Sequence, residues 1–132
     1  MNIQEISKEI NANAHAKGFW GNGVDVQEKL MLIVSECSEA MEADRTDFYC
    51  LKGERNNGRP AGAFPEGHEH EFKEAEYWFK EQVKDKFEDE LADIAIRVFD
   101  LAFEMGIDLS WHIQQKVRYN AGRPKMHGGK KY

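Results

Sequence analysis

The sequence contains little cysteine and little proline, with two cysteines and three prolines in 132 residues. Cys37 and Cys50 are too few for the disulfide framework of a small secreted domain, so free thiols in a reducing compartment are the simplest interpretation. No apolar run reaches the ~18–20 residues that span a bilayer, and the first residues lack the basic-then-apolar pattern of a secretion signal. We therefore expect a cytoplasmic protein without a membrane partner.

Alternation of apolar and polar residues, which indicates half-buried strands, is also absent from the sequence. Apolar residues instead recur every three or four positions. This spacing predicts helices over 3–17, from Val26 to about Arg45, from near His70 to Gly106, and from Asp108 or Ser110 to Asn120. Asp25 is a suitable N-cap for the second helix, and the third stretch is either continuous or kinked near Asp85. We predict an all-α fold, a bundle of four or five helices.

The length suits one domain, and we predict that residues 1–132 form a single one. Residues 53–67 contain four glycines and two prolines, a composition typical of a loop. They lie within a long connection, residues 46–85, which we expect to act as a lid or as an oligomer contact. Its His68–Glu71 run is best interpreted as the solvated start of a helix.

Acidic residues are missing from the last 24 positions, which nevertheless contain six lysines and arginines. Residues 1–108 then hold 12 basic residues against all 24 acidic ones. Such an acidic body is unsuited to duplex nucleic acid, which requires a broad basic face. With the basic arm at 121–132, it favours a small polyanion held through metal ions at one end and cations at the other, although a solvated terminus explains the arm equally well.

Two predicted helices each carry a pair of carboxylates within an apolar run. Glu36 and Glu39 form one pair, and Glu90 and Asp93 form the other. The spacing of three residues puts each pair on one helical face, where partial burial and mutual repulsion are unfavourable. Since a divalent cation removes this conflict, and Mg²⁺ and Mn²⁺ prefer oxygen ligands, the pattern indicates a metal site. A single pair of this kind is usually a solvated helix face, and two pairs leave the alternatives about even.

Basic and amide side chains follow the second pair along the sequence. Arg97, four residues after Asp93, can reach a metal-bound phosphate or form a salt bridge with Asp93 or Asp100. Lys116 and Asn120 share one face of the last helix and precede Arg123, which suits a polyphosphate. A basic helix end favoured by the helix dipole is the simpler alternative.

Several sequence blocks resemble those of one enzyme family. The blocks are Glu28–Arg45, Glu90–Ala102, Gly106–Leu109, and Lys116–Pro124 with His127–Lys130. In this order they resemble the motifs of the MazG-like all-α nucleoside triphosphate pyrophosphohydrolases. The likeness extends over about residues 3–45 and 86–131, whereas the long connection departs from the family pattern and leaves base selectivity open.

The resemblance implies an enzyme that uses Mg²⁺, for which Mn²⁺ can substitute, to split a nucleoside triphosphate into a monophosphate and pyrophosphate. It implies that the metal ligands are Glu36, Glu39, Glu90 and Asp93, with Glu39 also the expected general base. It implies that substrate is contacted by Trp20, Arg97, Lys116, Asn120 and Arg123. Trp20 would line the nucleobase pocket. Equally well, its side chain would pack as a hydrophobic plug between the first two helices. A homodimer or homotetramer is expected from the resemblance and from the many aromatic residues.

Three other functions compete with this interpretation. A ferritin-like dimetal site requires Glu-x-x-His, and no histidine of the sequence has a glutamate three positions before it. A non-catalytic bundle that senses nucleotides or metals would have the same carboxylates and the same basic arm. A purely structural bundle would need no metal at all.

Overall fold

A computed structural model describes residues 2–21, 23–50 and 72–124. These residues form α1 (Ile3–Ala16), α2 (Val26–Arg45), α3 (Phe72–Gln82), α4 (Phe87–Glu104) and α5 (Leu109–Ala121). No strand occurs in the described ranges, so the prediction of an all-α fold is confirmed. The loop predicted at 53–67 and the His68–Glu71 run lie outside these ranges.

Short polar side chains determine where three of the helices begin. The side-chain oxygens of Asn2, Asp25 and Asp108 accept backbone N–H bonds at the first turns of α1, α2 and α5. These caps satisfy amide groups that have no partner within the helix. Asp25 therefore acts as predicted, and Asp108 rather than Ser110 caps the last helix.

Positive backbone φ angles mark both ends of the region around α4. Asp85 has a φ of 63°, and its N–H donates to a carboxylate oxygen of Asp89 at 3.0 Å, so α3 and α4 are separate helices rather than one continuous helix. After α4, Gly106 has a φ of 67°, and the Ile107 N–H donates to the Ala102 carbonyl. This is the glycine-terminated ending that was expected at Gly106.

The chain divides into two compact units, and the division falls inside α4. The first unit comprises Met1–Val24 and Val98–Tyr132, and its buried apolar side chains are Ala14, Trp20, Leu101 and Ala102. The second unit is Asp25–Arg97, with Ala40 and Ala43 buried on α2. The single domain over 1–132 stays a prediction.

The outward face of α2 carries large apolar side chains. Leu30, Val34 and Met41 are 50%, 53% and 72% exposed, and Cys37 lies exposed between the last two. Their spacing of four, three and four residues places them in one stripe along the helix. Across the described residues, no helix combines the length and the apolar character needed to cross a bilayer.

Candidate metal centre

Three carboxylates from two helices converge in the second unit. Glu36 and Glu39 of α2 and Glu90 of α4 each place one oxygen so that all three oxygens lie within 4.8 Å of one another. Glu36 and Glu90 are buried, with 7% and 5% exposure, while Glu39 is exposed. We call these three residues the carboxylate cluster. Three of the four predicted ligands therefore lie close together.

Local helix geometry explains why acidic groups are buried at this place. Glu36, Ala40 and Ala43 follow one another at spacings of four and three, and they form the buried side of α2. Glu90 lies in the first turn of α4, where unpaired backbone amides favour a negative charge. The buried side of α2 thus accounts for the burial of Glu36, and the first turn of α4 favours the charge of Glu90.

Asp93, the fourth predicted ligand, lies one turn after Glu90 and is not one of the three converging residues. It is nevertheless within the electrostatic influence of the cluster. Burial raises the pKa of Asp93, the charges of Asp89 and Glu36 raise it further, and Arg97 opposes the shift. Asp93 thus borders the cluster, and its role as a direct ligand stays a prediction.

The burial of Glu90 and the charges around it disfavour its ionised form. Burial is the main reason that the pKa of Glu90 is raised above its usual 4.5, and the charges of Glu39 and Asp93 add to the effect. The carboxyl groups therefore repel one another when all are ionised. A divalent cation would remove this repulsion, which is the chemical reason for considering a metal here.

The raised pKa of Glu90 predicts how pH changes the stability of the protein kept in a chelator. The folded chain holds this proton more tightly than the unfolded chain, so the group favours folding at low pH and opposes it once ionised. We expect the Glu90→Gln variant to exceed the wild type in free energy of unfolding at about pH 7.5. The difference should shrink as the pH falls toward 4.5. Urea titrations of both proteins across this range measure it, and a constant difference would contradict the prediction.

Arg97 forms an ion pair with a member of the cluster. Its Nε donates to Oε1 of Glu36 at 2.5 Å. From the sequence, the expected salt-bridge partners of Arg97 were Asp93 and Asp100 on its own helix. The hydrogen bond is formed with Glu36 of α2 instead. Because Arg97 lies seven residues after Glu90, it occupies the same side of α4, and it reaches Glu36 of α2.

The donor set of the carboxylate cluster suits a small divalent cation. Mg²⁺ binds oxygen at about 2.1 Å, so its oxygen ligands are about 3.0 Å apart when adjacent and about 4.2 Å apart when opposite. The three oxygens lie within 4.8 Å of one another, and closing further onto an ion requires movement of a side chain, which the exposure of Glu39 allows. All three donors are carboxylates, the hard ligands that Mg²⁺ and Mn²⁺ prefer. The residues present therefore fit the implied metal.

Two further residues beside the cluster were not predicted from the sequence. Ser35 donates its hydroxyl to Glu39 Oε1 at 3.4 Å, a long hydrogen bond. Asp89 contributes negative charge to both Glu90 and Asp93. The position of Asp89 next to Glu90 in the sequence could have indicated its effect on the pKa of Glu90. Ser35 could have been found from its position four residues before Glu39, on the same helical face.

The other predicted substrate residues belong to the first unit. Trp20 is 5% exposed, and its indole N–H lies 3.1 Å from both carboxylate oxygens of Asp100. Lys116, Asn120 and Arg123 are all exposed, and the Lys116 ammonium and the Arg123 guanidinium lie over the ring of Tyr119. Contact of these four residues with a substrate stays a prediction. The burial of Trp20 is what we expect if this side chain serves packing rather than contact with a base.

In comparisons with known proteins, no family model, no curated protein and no solved structure matches the chain.

Proposed function

We propose that the protein is a Mg²⁺-dependent nucleoside triphosphate pyrophosphohydrolase that releases a nucleoside monophosphate and pyrophosphate. The observation that carries this proposal is the convergence of Glu36, Glu39 and Glu90 from two helices. The resemblance of the same two motifs to the MazG-like enzymes supports it and supplies the substrate class. The three carboxylate donors are ligands that Mg²⁺ prefers, which supports Mg²⁺, with Mn²⁺ as a substitute.

The buried and exposed members of the cluster have different tasks in this mechanism. Glu36 and Glu90, on the buried sides of their helices, would hold the metal together with Asp93 and Glu39, and Glu39 has a second task. A bound divalent ion supplies positive charge at the phosphates and makes water more acidic. Glu39 is exposed, so water reaches its carboxylate, which orients that water or accepts its proton as general base.

Cations and polar groups outside the cluster bind the substrate in this proposal. The resemblance assigns phosphate contacts to Arg97 and Arg123, and a guanidinium offers a planar pair of donors to phosphate oxygens. It assigns contacts with the triphosphate to Lys116 and Asn120, and contact with the base to Trp20. Positioning and charge stabilisation carry most of the catalysis in phosphoryl transfer, so these contacts serve the rate as well as the affinity.

Pyrophosphate release from a panel of triphosphates tests the proposed activity. With Mg²⁺ we expect release from at least one nucleotide, loss of release in EDTA, and loss in the Glu39→Gln variant. Glu42→Gln is the matched control, because Glu42 is on the same helix but is exposed and pairs with Arg45. Nucleotide binding without any product would identify the sensing alternative and contradict the enzyme.

We further propose that the chain forms a homodimer or homotetramer. The stripe of Leu30, Val34, Cys37 and Met41 on α2 supports this, because exposed apolar side chains at coiled-coil spacing favour helix association. The aromatic Phe79 is also 43% exposed, whereas Phe99 and Phe103 are partly buried. A molar mass of one chain by light scattering would contradict this proposal. A reducing, cytoplasmic setting follows as a proposal from the two free thiols.

A further inference from the structure

The ion pair of Arg97 and Glu36 links a fixed positive charge to a proposed metal ligand. The Glu36 side chain retains 9% of its exposure, and that of Arg97 retains 38%. A carboxylate with so little solvent requires a counter-charge, and the guanidinium supplies it through a charge-assisted hydrogen bond. Arg97 also lowers the electrostatic cost of the neighbouring Asp93 carboxylate. The guanidinium thus serves the same carboxylates that a divalent cation would bind.

We propose that Arg97 is an internal counterion that a divalent cation displaces from Glu36, an inference that rests on the metal centre of the proposed function. A cation held by oxygens that lie within 4.8 Å of one another would be close to the guanidinium, and the two positive charges would repel. Binding of the metal therefore costs the Arg97–Glu36 hydrogen bond. Arg97 lowers the metal affinity of the centre by this amount.

The partial exposure of Arg97 makes the displacement feasible. Its side chain has solvent access, so the guanidinium can leave Glu36 for water rather than for an apolar interior. The displaced guanidinium is then available to an anion. An anion that pairs with Arg97 favours the displaced state, and by thermodynamic linkage it also tightens metal binding.

An alternative role for Arg97 predicts that its removal weakens metal binding, the opposite of what a displaced counterion predicts. Arginines beside metal ligands can hold a carboxylate in the orientation that the metal requires, and their loss then weakens metal binding. A displaced counterion instead gives tighter binding when it is removed. The sign of the change in affinity therefore separates the two roles.

The test is the dissociation constant for Mn²⁺, measured by calorimetry on full-length protein dialysed against EDTA and then against buffer. We expect Arg97→Met to bind Mn²⁺ about tenfold more tightly than the wild type, the effect of losing one partly exposed charge-assisted hydrogen bond. Arg97→Lys keeps the charge but loses the planar fork, and we expect an intermediate affinity. Arg45→Met is the matched control, since Arg45 is on α2 but pairs with the exposed Glu42, and its affinity should stay within about twofold of the wild type.

A melting curve of each variant without and with Mn²⁺ shows whether the protein is folded. Without the metal, we expect Arg97→Met to have a lower melting temperature than the wild type. On addition of Mn²⁺, we expect its melting temperature to rise by more than that of the wild type. Unchanged or weaker Mn²⁺ binding by folded Arg97→Met, beside a wild type that binds, would overturn the counterion and leave the metal centre intact. Absence of Mn²⁺ binding in every folded variant would overturn the metal centre, and the counterion with it. An equal gain in Arg45→Met would reduce the effect to net charge and overturn the specific exchange at Glu36.

Discussion

Glu90→Gln is expected to reduce Mg²⁺-dependent pyrophosphate release by about 1,000-fold, since metal-supplied charge stabilisation in phosphoryl transfer is worth several kcal/mol. The same change should raise the stability of the protein in EDTA. Glu90 is buried and repelled by Glu39 and Asp93, and glutamine has nearly the same shape without the charge. A loss of activity that accompanies a gain of stability is the signature of a residue retained for function.

The size of the stability gain follows from the geometry. Two full charges within 4.8 Å of each other repel by roughly 3 kcal/mol or more at an effective dielectric constant of ~20. Solvent around the exposed Glu39 weakens this repulsion, and a net gain of about 1 kcal/mol remains. Steady-state kinetics and urea unfolding measure the two effects. Glu81→Gln on α3 is the control, because Glu81 is exposed and outside the cluster. Full activity in Glu90→Gln would contradict the assignment of Glu90 as a ligand.

Asp100→Ala is expected to give the largest loss of stability in the first unit. The Asp100 carboxylate accepts hydrogen bonds from the Asn11 amide at 2.9 Å and from the Trp20 indole at 3.1 Å. Both donor residues are buried, so removal of their acceptor leaves two polar groups without this partner. The Asn11 amide keeps a second hydrogen bond, to Glu104 at 2.9 Å, so we expect a decrease of about 1–3 kcal/mol in the free energy of unfolding. Thermal and urea unfolding check it.

Trp20→Phe serves as the companion variant for Asp100→Ala. It keeps an aromatic ring and removes only the indole N–H and part of the ring, so we expect a smaller loss, about 1–2 kcal/mol. If Trp20 also contacts the base, the KM of Trp20→Phe should rise while its kcat changes little. A decrease in stability with an unchanged KM would assign Trp20 to packing alone. Wild-type stability in Asp100→Ala would contradict the role given to this carboxylate.

Features that depend on neighbouring residues could be predicted from the sequence. The helix bounds of α1, α2 and α5 follow from apolar spacing and from polar caps, which act within four residues. The Glu36–Glu39 pair is likewise local, because three residues make nearly one helical turn. The break between α3 and α4 was left undecided, since it depends on the positive φ of Asp85 and on the cap supplied by Asp89.

Contacts between helices could not be predicted with the same detail. The partner of Arg97 was sought on its own helix, because spacing along one helix is visible in a sequence and the register between two helices is not. For the same reason Asp100 was considered as a salt-bridge partner of Arg97, whereas its hydrogen bonds go to Asn11 and Trp20. Asp93 lies outside the converging three for a related reason, since only the packing of α4 decides which of two neighbouring turns reaches α2.

X-ray diffraction from crystals soaked with Mn²⁺, recorded where Mn scatters anomalously, would show directly whether the carboxylates hold a divalent ion. We predict an anomalous peak bound by oxygens of Glu36, Glu39 and Glu90, with metal–oxygen distances near ~2.1–2.2 Å. The peak should disappear in crystals of Glu90→Gln grown and soaked in the same way. Ordered carboxylates without a peak at saturating Mn²⁺, or a peak only elsewhere on the protein, would contradict the metal centre and the catalytic function built on it.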